Sequence, residues 1–219
     1  MAAAVRPGQD DRMPSTLAAF LGACLLVAAS PGPSTVLIIK HSLRSRRSGF
    51  MTVLGNETGV LTWGLVAAFG LTALLAASEL AYGVMRVVGA VVLVGFGVQT
   101  LWHARRPAAA GIDAAGGERA KSGPASYRHG LLLNLANPKA AIFAMSFLPQ
   151  FVPPGAPHLP AMVGLAALWA VFEVGYYGLY VWFVGRIRTV LSRAGVRRRL
   201  EQVSGGILLL LGARLALEG

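Results

Sequence analysis

Two glutamates lie inside long apolar segments of the sequence. Glu57 follows Asn56 near the start of one segment, and Glu173 lies among aromatic residues in another. A carboxylate inside a membrane span costs a few kcal/mol unless it is paired or hydrated, so its neutral form is favoured there. We therefore predict that Glu57 and Glu173 carry protons for coupled transport. The alternative is a structural charge pair with Lys139 or Arg86.

Two apolar segments are interrupted by prolines together with polar residues. One contains Pro31-Gly32-Pro33, and the other contains Asn134 followed by Asn137-Pro138-Lys139. Proline removes a backbone donor and clashes with the preceding turn, so each segment should form two half-helices. In lipid, unpaired backbone groups are tolerated only against protein or a water-filled cavity. We expect both breaks to line a binding site, with a kink that only helps packing as the alternative.

The broken helices offer complementary groups for a zwitterion. The N-terminal end of a half-helix carries partial positive charge and free N–H groups, which suit a carboxylate. Free carbonyls with Asn134 and Asn137 could take an ammonium group, and Lys139 offers a further cation unless it only reaches toward the headgroups. The predicted substrate-binding residues are Pro31, Gly32, Pro33, Asn56, Asn134, Asn137, Pro138 and Lys139.

Composition places the chain among integral membrane proteins. Of its 219 residues, 55% are hydrophobic and only 13% are charged, and the mean hydropathy is +0.60. Soluble domains average about 25% charged residues. We predict an all-α integral membrane protein with six transmembrane helices in a single domain over 17–219, after a polar tail over 1–16. The six predicted spans cover 17–39, 49–77, 80–102, 127–152, 160–184 and 200–217.

The formal net charge of +11 is concentrated between spans. Basic clusters follow alternate spans, at 40–47, in a flexible loop at 103–128, and in the most basic loop at 186–199. This placement suits loops that face anionic lipid, and it does not suit a nucleic-acid surface. By the positive-inside rule, both termini should be non-cytoplasmic. A cleaved signal peptide is the alternative for the first span, but the apolar run resumes after the prolines.

Short matches between the two halves of the chain indicate an internal repeat. Ala29-Ser-Pro31 resembles Ala136-Asn-Pro138, and Glu57-Thr-Gly59 resembles Glu173-Val-Gly175. Three spans per half is an odd number, so the two three-helix repeats should be inverted. The breaks in helices 1 and 4 then occupy equivalent places, which is typical of a binding site near the membrane midplane.

Signals for an enzyme or a metal site are weak. The four histidines fall in loops or at span ends without helical metal spacing: His41, His103, His129 and His158. Ser34 has no obvious base in the sequence and is more typical of a cap for the half-helix that follows. Cys24 is the only cysteine, so it cannot form an intrachain disulfide and should serve packing. We expect no enzyme activity, no metal and no cofactor.

Together these motifs resemble the LysE/RhtB family of amino-acid exporters. The resemblance rests on Ser30-Pro31-Gly32-Pro33, on the basic first loop, on the glycines of spans two and three, and on Asn134-Leu-Ala-Asn137-Pro138-Lys139. It implies a six-span inner-membrane protein that exports a small amino acid or derivative by proton antiport, often as a homodimer. In that family the position of Glu57 is more often a small residue or an aspartate, and this departure bears on substrate or coupling.

Two other functions stay open at this point. One is export of a cation or metal, as in other branches of the same superfamily. The other is a membrane enzyme or accessory protein without transport of its own. The sequence has no Cys/His cluster that favours a metal and no catalytic pair that favours an enzyme.

Overall fold

The chain is helical throughout the part that the computed structural model describes, which is residues 12–29, 32–103, 105, 123–153, 155–191 and 193–217. These residues contain no strand, which confirms the predicted all-α class. Their α-helices are α1 (Arg12–Ala29), α2 (Pro33–Arg44), α3 (Arg46–Ala77), α4 (Glu79–His103), α5 (Gly123–Leu135), α6 (Pro138–Phe147), α7 (His158–Trp182), α8 (Val184–Leu191) and α9 (Ala194–Leu217). A 3₁₀ turn at Leu148–Phe151 follows α6.

Two of the described helices are long and apolar enough to cross a membrane. They are Arg46–Leu74 and His158–Trp182. The count rises to four if each of two bent helix pairs forms one span. The total of six spans stays a prediction.

Both predicted helix breaks are present. The axis of Thr16–Ala29 makes an angle of 67° with α2, and α5 makes an angle of 61° with the helical segment Pro138–Phe151. Pro33 and Pro138 each occupy the first turn of the second half-helix. Proline suits this position because its missing N–H would have no partner there. Pro31 lies outside the described residues.

Several helix boundaries differ from the predicted ones. α1 begins at Arg12, inside the expected tail, and α5 begins at Gly123, so the end of the expected 103–128 loop is helical. The expected basic loop at 186–199 is also largely helical, as α8 and the start of α9. Val184 and Ile187 of α8 pack on the core while Arg186 is exposed. An amphipathic basic helix of this kind is typical of a membrane surface.

The backbones of α3 and α5 approach each other closely at two glycines. A methyl group on Gly55 would overlap the carbonyl oxygen of Tyr127, and one on Gly130 would overlap the carbonyl oxygen of Thr52. Small residues at such contacts let helix backbones approach closely in a membrane protein. α3 also packs against α2 and α7, so it contacts both broken pairs.

Two buried clusters flank the region where the breaks meet. One contains stacked aromatic rings, with centroids 4.2 Å apart for Phe143 and Phe147 and 5.1 Å apart for Phe143 and Trp169. Cys24 is buried in the same cluster. The other cluster includes Tyr177 and joins α2, α3 and α7. Each half of the chain therefore has a bent pair followed by long helices, an order that supports the predicted repeat; its inversion stays a prediction.

Candidate functional site

A small cavity of about 60 Å³ lies where the two helix breaks meet α3 and α7. A water molecule needs roughly 10–15 Å³ of such space, so the cavity has room for a few waters or for part of a small solute. The lining residues are Val27, Ala28, Gly32, Pro33, Ser34, Thr35, Asn56, Val60, Asn134, Asn137, Lys139, Ala140, Phe143, Trp169, Glu173 and Tyr177.

The start of α2 faces this cavity. Gly32 is the N-cap residue and no side chain caps the helix, so the prediction that Ser34 caps α2 is wrong. Pro33 occupies the first turn, which places Ser34 inside the helix and past the capping position. The Ser34 hydroxyl is instead buried without a hydrogen-bond partner. The helix start therefore offers uncapped N–H groups and a hydroxyl to the cavity.

The start of α6 faces the cavity from the other broken pair. The side-chain oxygen of Asn137 accepts a hydrogen bond from the backbone N–H of Lys139 at 3.1 Å, which caps the helix. The Lys139 side chain lines the cavity and interacts electrostatically with Glu173. Two helix N-termini and one lysine therefore contribute positive charge to the cavity.

A chain of amides connects α5 to the acid on α3. The Asn134 amide donates to the side-chain oxygen of Asn56 at 3.2 Å, and the Asn56 amide donates to Glu57 at 2.7 Å. The side-chain oxygen of Asn134 is buried without a partner. The NH₂ groups of Asn134 and Asn56 therefore both donate in the direction of Glu57. The side-chain oxygen of Asn134, at the other end of this chain, remains a free acceptor.

The two glutamates form a buried carboxyl pair. Glu57 is 3% exposed and Glu173 is 4% exposed, and the two carboxyl groups interact electrostatically. Oε2 of Glu57 accepts no hydrogen bond from a described donor group. Two ionised carboxylates have no hydrogen to share and repel each other, so contact between them requires a proton. A proton on one of the two carboxyl groups would remove this repulsion.

The structure brings most of the predicted site residues together. Seven of them line the cavity: Gly32, Pro33, Asn56, Asn134, Asn137, Lys139 and Glu173. Glu57 lies behind Asn56, and Pro138 occupies the first turn of α6 without lining the cavity. Glu173 interacts electrostatically both with Glu57 and with the alternative partner Lys139.

Glu173 was expected among aromatic residues, but none of its aromatic neighbours on α7 was predicted as a site residue. The Trp169 indole donates to Glu173 at 2.9 Å, and the Tyr177 hydroxyl donates to the carbonyl oxygen of Ala28 at 3.2 Å. Both aromatic residues line the cavity. Trp169, Glu173 and Tyr177 recur at intervals of four, which places them on one helix face. This four-residue spacing in the sequence could have predicted that Trp169 and Tyr177 lie beside Glu173.

A second polar cluster, formed by the ends of α2 and α5 with α3, was also missed. His41 hydrogen-bonds to Thr52 at 2.6 Å and stacks on His129 with ring centroids 5.9 Å apart. Ser48 and Ser126 hydrogen-bond at 2.7 Å in the same region. No group of three potential metal-ligating side chains occurs among the described residues.

Sequence comparison identifies the family of the chain. A sequence model of the LysE type translocator matches residues 25–219. The chain belongs to this family. The match confirms the resemblance drawn from the Pro-Gly-Pro and Asn-Pro-Lys motifs, and LysE-type translocators are membrane transport proteins. No solved structure matches the chain significantly.

Relatives of this LysE-type translocator include proteins with named cargo. The chain is 31% identical to the threonine efflux protein of Escherichia coli (strain K12), over 88% of this chain and 89% of that protein. It is 26% identical to the homoserine/homoserine lactone efflux protein of Salmonella typhimurium, over 90% of this chain and 94% of that protein. An uncharacterised membrane protein of Vibrio cholerae is 26% identical over 90% of this chain. These relatives confirm a transporter rather than an enzyme.

Proposed function

We propose that this translocator exports a small amino acid or amino-acid derivative from the cytoplasm by proton antiport. The observation that carries the proposal is one cavity that combines positively charged helix starts with a buried carboxyl pair. A carrier that exchanges a zwitterion for a proton needs both kinds of group. Its place is the inner membrane, with the basic loops in the cytoplasm and both termini on the other side.

The carboxylate of the substrate binds at the starts of α2 and α6. The backbone N–H groups in the first turn of each helix, together with the partial positive charge of the helix start, suit an anion. Lys139 adds a basic side chain to the same cavity. Ser34 supplies a buried hydroxyl without a partner, a second and independent observation that favours a ligand here. Carboxylates accept several hydrogen bonds at once, which fits this set of donors.

The substrate is small and polar. The cavity of about 60 Å³ holds part of a small solute, so a whole amino acid requires the surrounding helices to move. The named relatives export threonine, homoserine and homoserine lactone. We therefore propose amino acids of the size of threonine as the first candidates.

The Glu57–Glu173 pair carries the driving proton. The pair is buried and lies next to the cavity through Glu173. Intramembrane acids commonly form proton relays in transporters. The glutamate at position 57 supplies the second acid, so the departure from the usual family residue serves coupling.

The proposal is tested by uptake into inverted membrane vesicles with an acidic lumen. A panel of radiolabelled amino acids that includes threonine and homoserine should show at least one that accumulates. Accumulation should stop when an uncoupler removes the proton gradient. Vesicles without the protein are the control.

Failure of every amino acid to accumulate, with the protein present in the membrane, would overturn the proposal. Gradient-dependent accumulation of a divalent metal in the same vesicles would replace it with cation export. Accumulation of an amino acid that persists after the uncoupler would leave export intact and remove proton antiport.

A further inference from the structure

We propose that the ammonium group of the substrate and the driving proton bind in alternation to the same Glu57–Glu173 pair. The inference rests on the proposed function and names how the site couples its two ligands. It departs from the sequence-based expectation, in which Asn134 and Asn137 bind the ammonium group and the acids bind only the proton.

Glu173 places the pair within reach of the substrate. It is the acidic side chain that lines the cavity among the described residues, and it lies on α7, whereas the positively charged helix starts belong to α2 and α6. The carboxylate and ammonium of an amino acid share one carbon atom, so both must bind within a small space. In a cavity of about 60 Å³, a carboxylate held at the helix starts directs its ammonium group toward Glu173.

Of the asparagines that line the cavity, only Asn134 has an unpaired acceptor, its side-chain oxygen. The side-chain oxygen of Asn137 caps α6, and the Asn134 and Asn56 amides donate along a chain that ends at Glu57. Hydrogen bonds between a cation and a carboxylate are roughly twice as strong as those between neutral groups. The carboxyl pair is therefore the better partner for an ammonium group.

Two hydrogen-bond donors stabilise the ionised form of the carboxyl pair. Asn56 donates to Glu57 at 2.7 Å, and Trp169 donates to Glu173 at 2.9 Å. Hydrogen bonds to an ionised carboxylate stabilise it. The Trp169 and Tyr177 rings also line the cavity, and aromatic rings favour a nearby cation.

The charge of the Glu57–Glu173 pair prevents the proton and the ammonium group from binding at the same time. With neither ligand, two carboxylates would lie in contact in a buried place, which is unfavourable. With one proton the pair carries one negative charge, and with the proton released to water the two carboxylates bind the ammonium group. A proton and an ammonium group together would halve the negative charge that holds the cation. One zwitterion therefore leaves for each proton that enters.

The other titratable groups that interact electrostatically with the pair lie on three helices. They are Cys24 of α1, Lys139 of α6, and Tyr176 and Tyr177 of α7. Thiols and phenols ordinarily titrate above about pH 8. Competition between the proton and the ammonium group should therefore be measured below about pH 8.

The test measures binding of radiolabelled L-threonine to the purified protein from pH 5.5 to 7.5. Competition for one proton site predicts that the apparent Kd rises about tenfold for each pH unit lost once the proton dominates. The number of binding sites should stay constant. L-Threonine methyl ester keeps the ammonium group without the carboxylate, and its binding should show the same pH dependence. The hydroxy acid 2,3-dihydroxybutanoate lacks the ammonium group, and its binding should not weaken as the pH falls.

Glu173→Gln should weaken threonine binding and remove its pH dependence. Glu201→Gln is the matched control, because Glu201 is also a buried acid but lies on α9 outside the cavity. It should keep the wild-type pH profile. If Glu173→Gln does not fold, the wild-type profiles of the three probes still decide the question.

Threonine binding that does not change with pH in wild-type protein, together with gradient-driven export, overturns the inference and leaves the proposed function standing. A hydroxy acid that shows the same pH dependence as threonine also overturns it, because competition then does not involve the ammonium group. Failure of wild-type protein to bind threonine or either analogue likewise counts against it. If no amino acid accumulates in vesicles, the proposed function falls and the inference falls with it.

Discussion

At the scale of residues, the site combines positive and negative groups around one small cavity. Lys139, the two helix starts and Glu173 all line it, and Lys139 interacts electrostatically with Glu173. Removal of one buried charge should therefore affect one end of the substrate. The effect on the other end should be smaller.

We predict that Lys139→Met raises the KM for L-threonine export by roughly 10-fold to 100-fold, because a hydrogen bond to a charged group contributes about 1.5–3 kcal/mol. Export of L-threonine methyl ester, which has no carboxylate, should change little. Initial rates in inverted vesicles measure both values. Lys40→Met is the control, since Lys40 lies outside the cavity lining. An equal loss for both substrates would contradict a carboxylate role for Lys139.

We predict that Glu57→Gln abolishes accumulation of substrate against a gradient but preserves exchange of labelled for unlabelled substrate. The amide of glutamine supplies a permanent N–H at the place of the shared proton, so Glu173 stays ionised without proton uptake. Counterflow and gradient-driven uptake in the same vesicles separate the two activities. Normal accumulation by the variant would remove Glu57 from coupling and leave it as a structural group.

At the scale of elements, the proline breaks and the glycine contact serve different purposes. The breaks release backbone groups at the cavity, whereas Gly55 and Gly130 bring α3 close to α5. The proline breaks should therefore affect transport, and the glycine contact should affect stability. Substitutions at the two kinds of position should therefore separate the two properties.

We predict that Pro138→Ala strongly reduces export while the protein still inserts into the membrane. Alanine restores an N–H that can bond to the carbonyl oxygen of Asn134, so the helix can continue through the break and its free N–H groups are lost. Vesicle uptake is compared with the amount of inserted protein. Pro160→Ala, an exposed position in the first turn of α7, is the control. Full export by Pro138→Ala would show that the break serves packing.

We predict that Gly55→Ala lowers the melting temperature of the protein in detergent, whereas Gly70→Ala does not. Both glycines lie in α3, but a methyl group at Gly55 would overlap the Tyr127 carbonyl and one at Gly70 would meet no atom within 4 Å. Overpacking of this kind costs roughly 1–3 kcal/mol. Thermal unfolding followed by size-exclusion chromatography measures the shift. Equal melting temperatures would show that α5 can move away from α3 without cost.

At the scale of the whole molecule, charge should set the orientation in the membrane. The basic clusters follow alternate predicted spans, and the net charge is +11. Cytoplasmic loops carry an excess of Lys and Arg in membrane proteins. The segment after α4 and the segment between the 3₁₀ turn and α7 should therefore lie on opposite sides.

We predict that Arg105→Cys reacts with a membrane-impermeant thiol reagent only from the cytoplasmic side. Pro153→Cys should react only from the opposite side. Both positions are exposed, and the variants are made in a Cys24→Ala background that leaves no other thiol. Intact cells and inverted vesicles present the two sides. Reaction of both positions from the same side would contradict the six-span arrangement.

The sequence by itself determined the membrane class, the two helix breaks and seven of the sixteen residues that line the cavity. Hydrophobic segments and prolines act on the local backbone, so Pro33 and Pro138 mark the helix starts without knowledge of their neighbours. The regular spacing of Trp169, Glu173 and Tyr177 was also readable, since a helix places residues four apart on one face. The extent of α8 was missed because a basic segment between spans resembles a loop in composition.

Only the tertiary structure decided that Glu57 and Glu173 form one pair and that Asn134 reaches Glu57 through Asn56. It likewise brought His41 against His129. These partners lie far apart in the chain, and the packing of α3 against α5 and α7 sets the distances between them. Whether two acids act singly or share a proton depends on those distances, because the interaction between charges and the geometry of a hydrogen bond both change over a few ångströms.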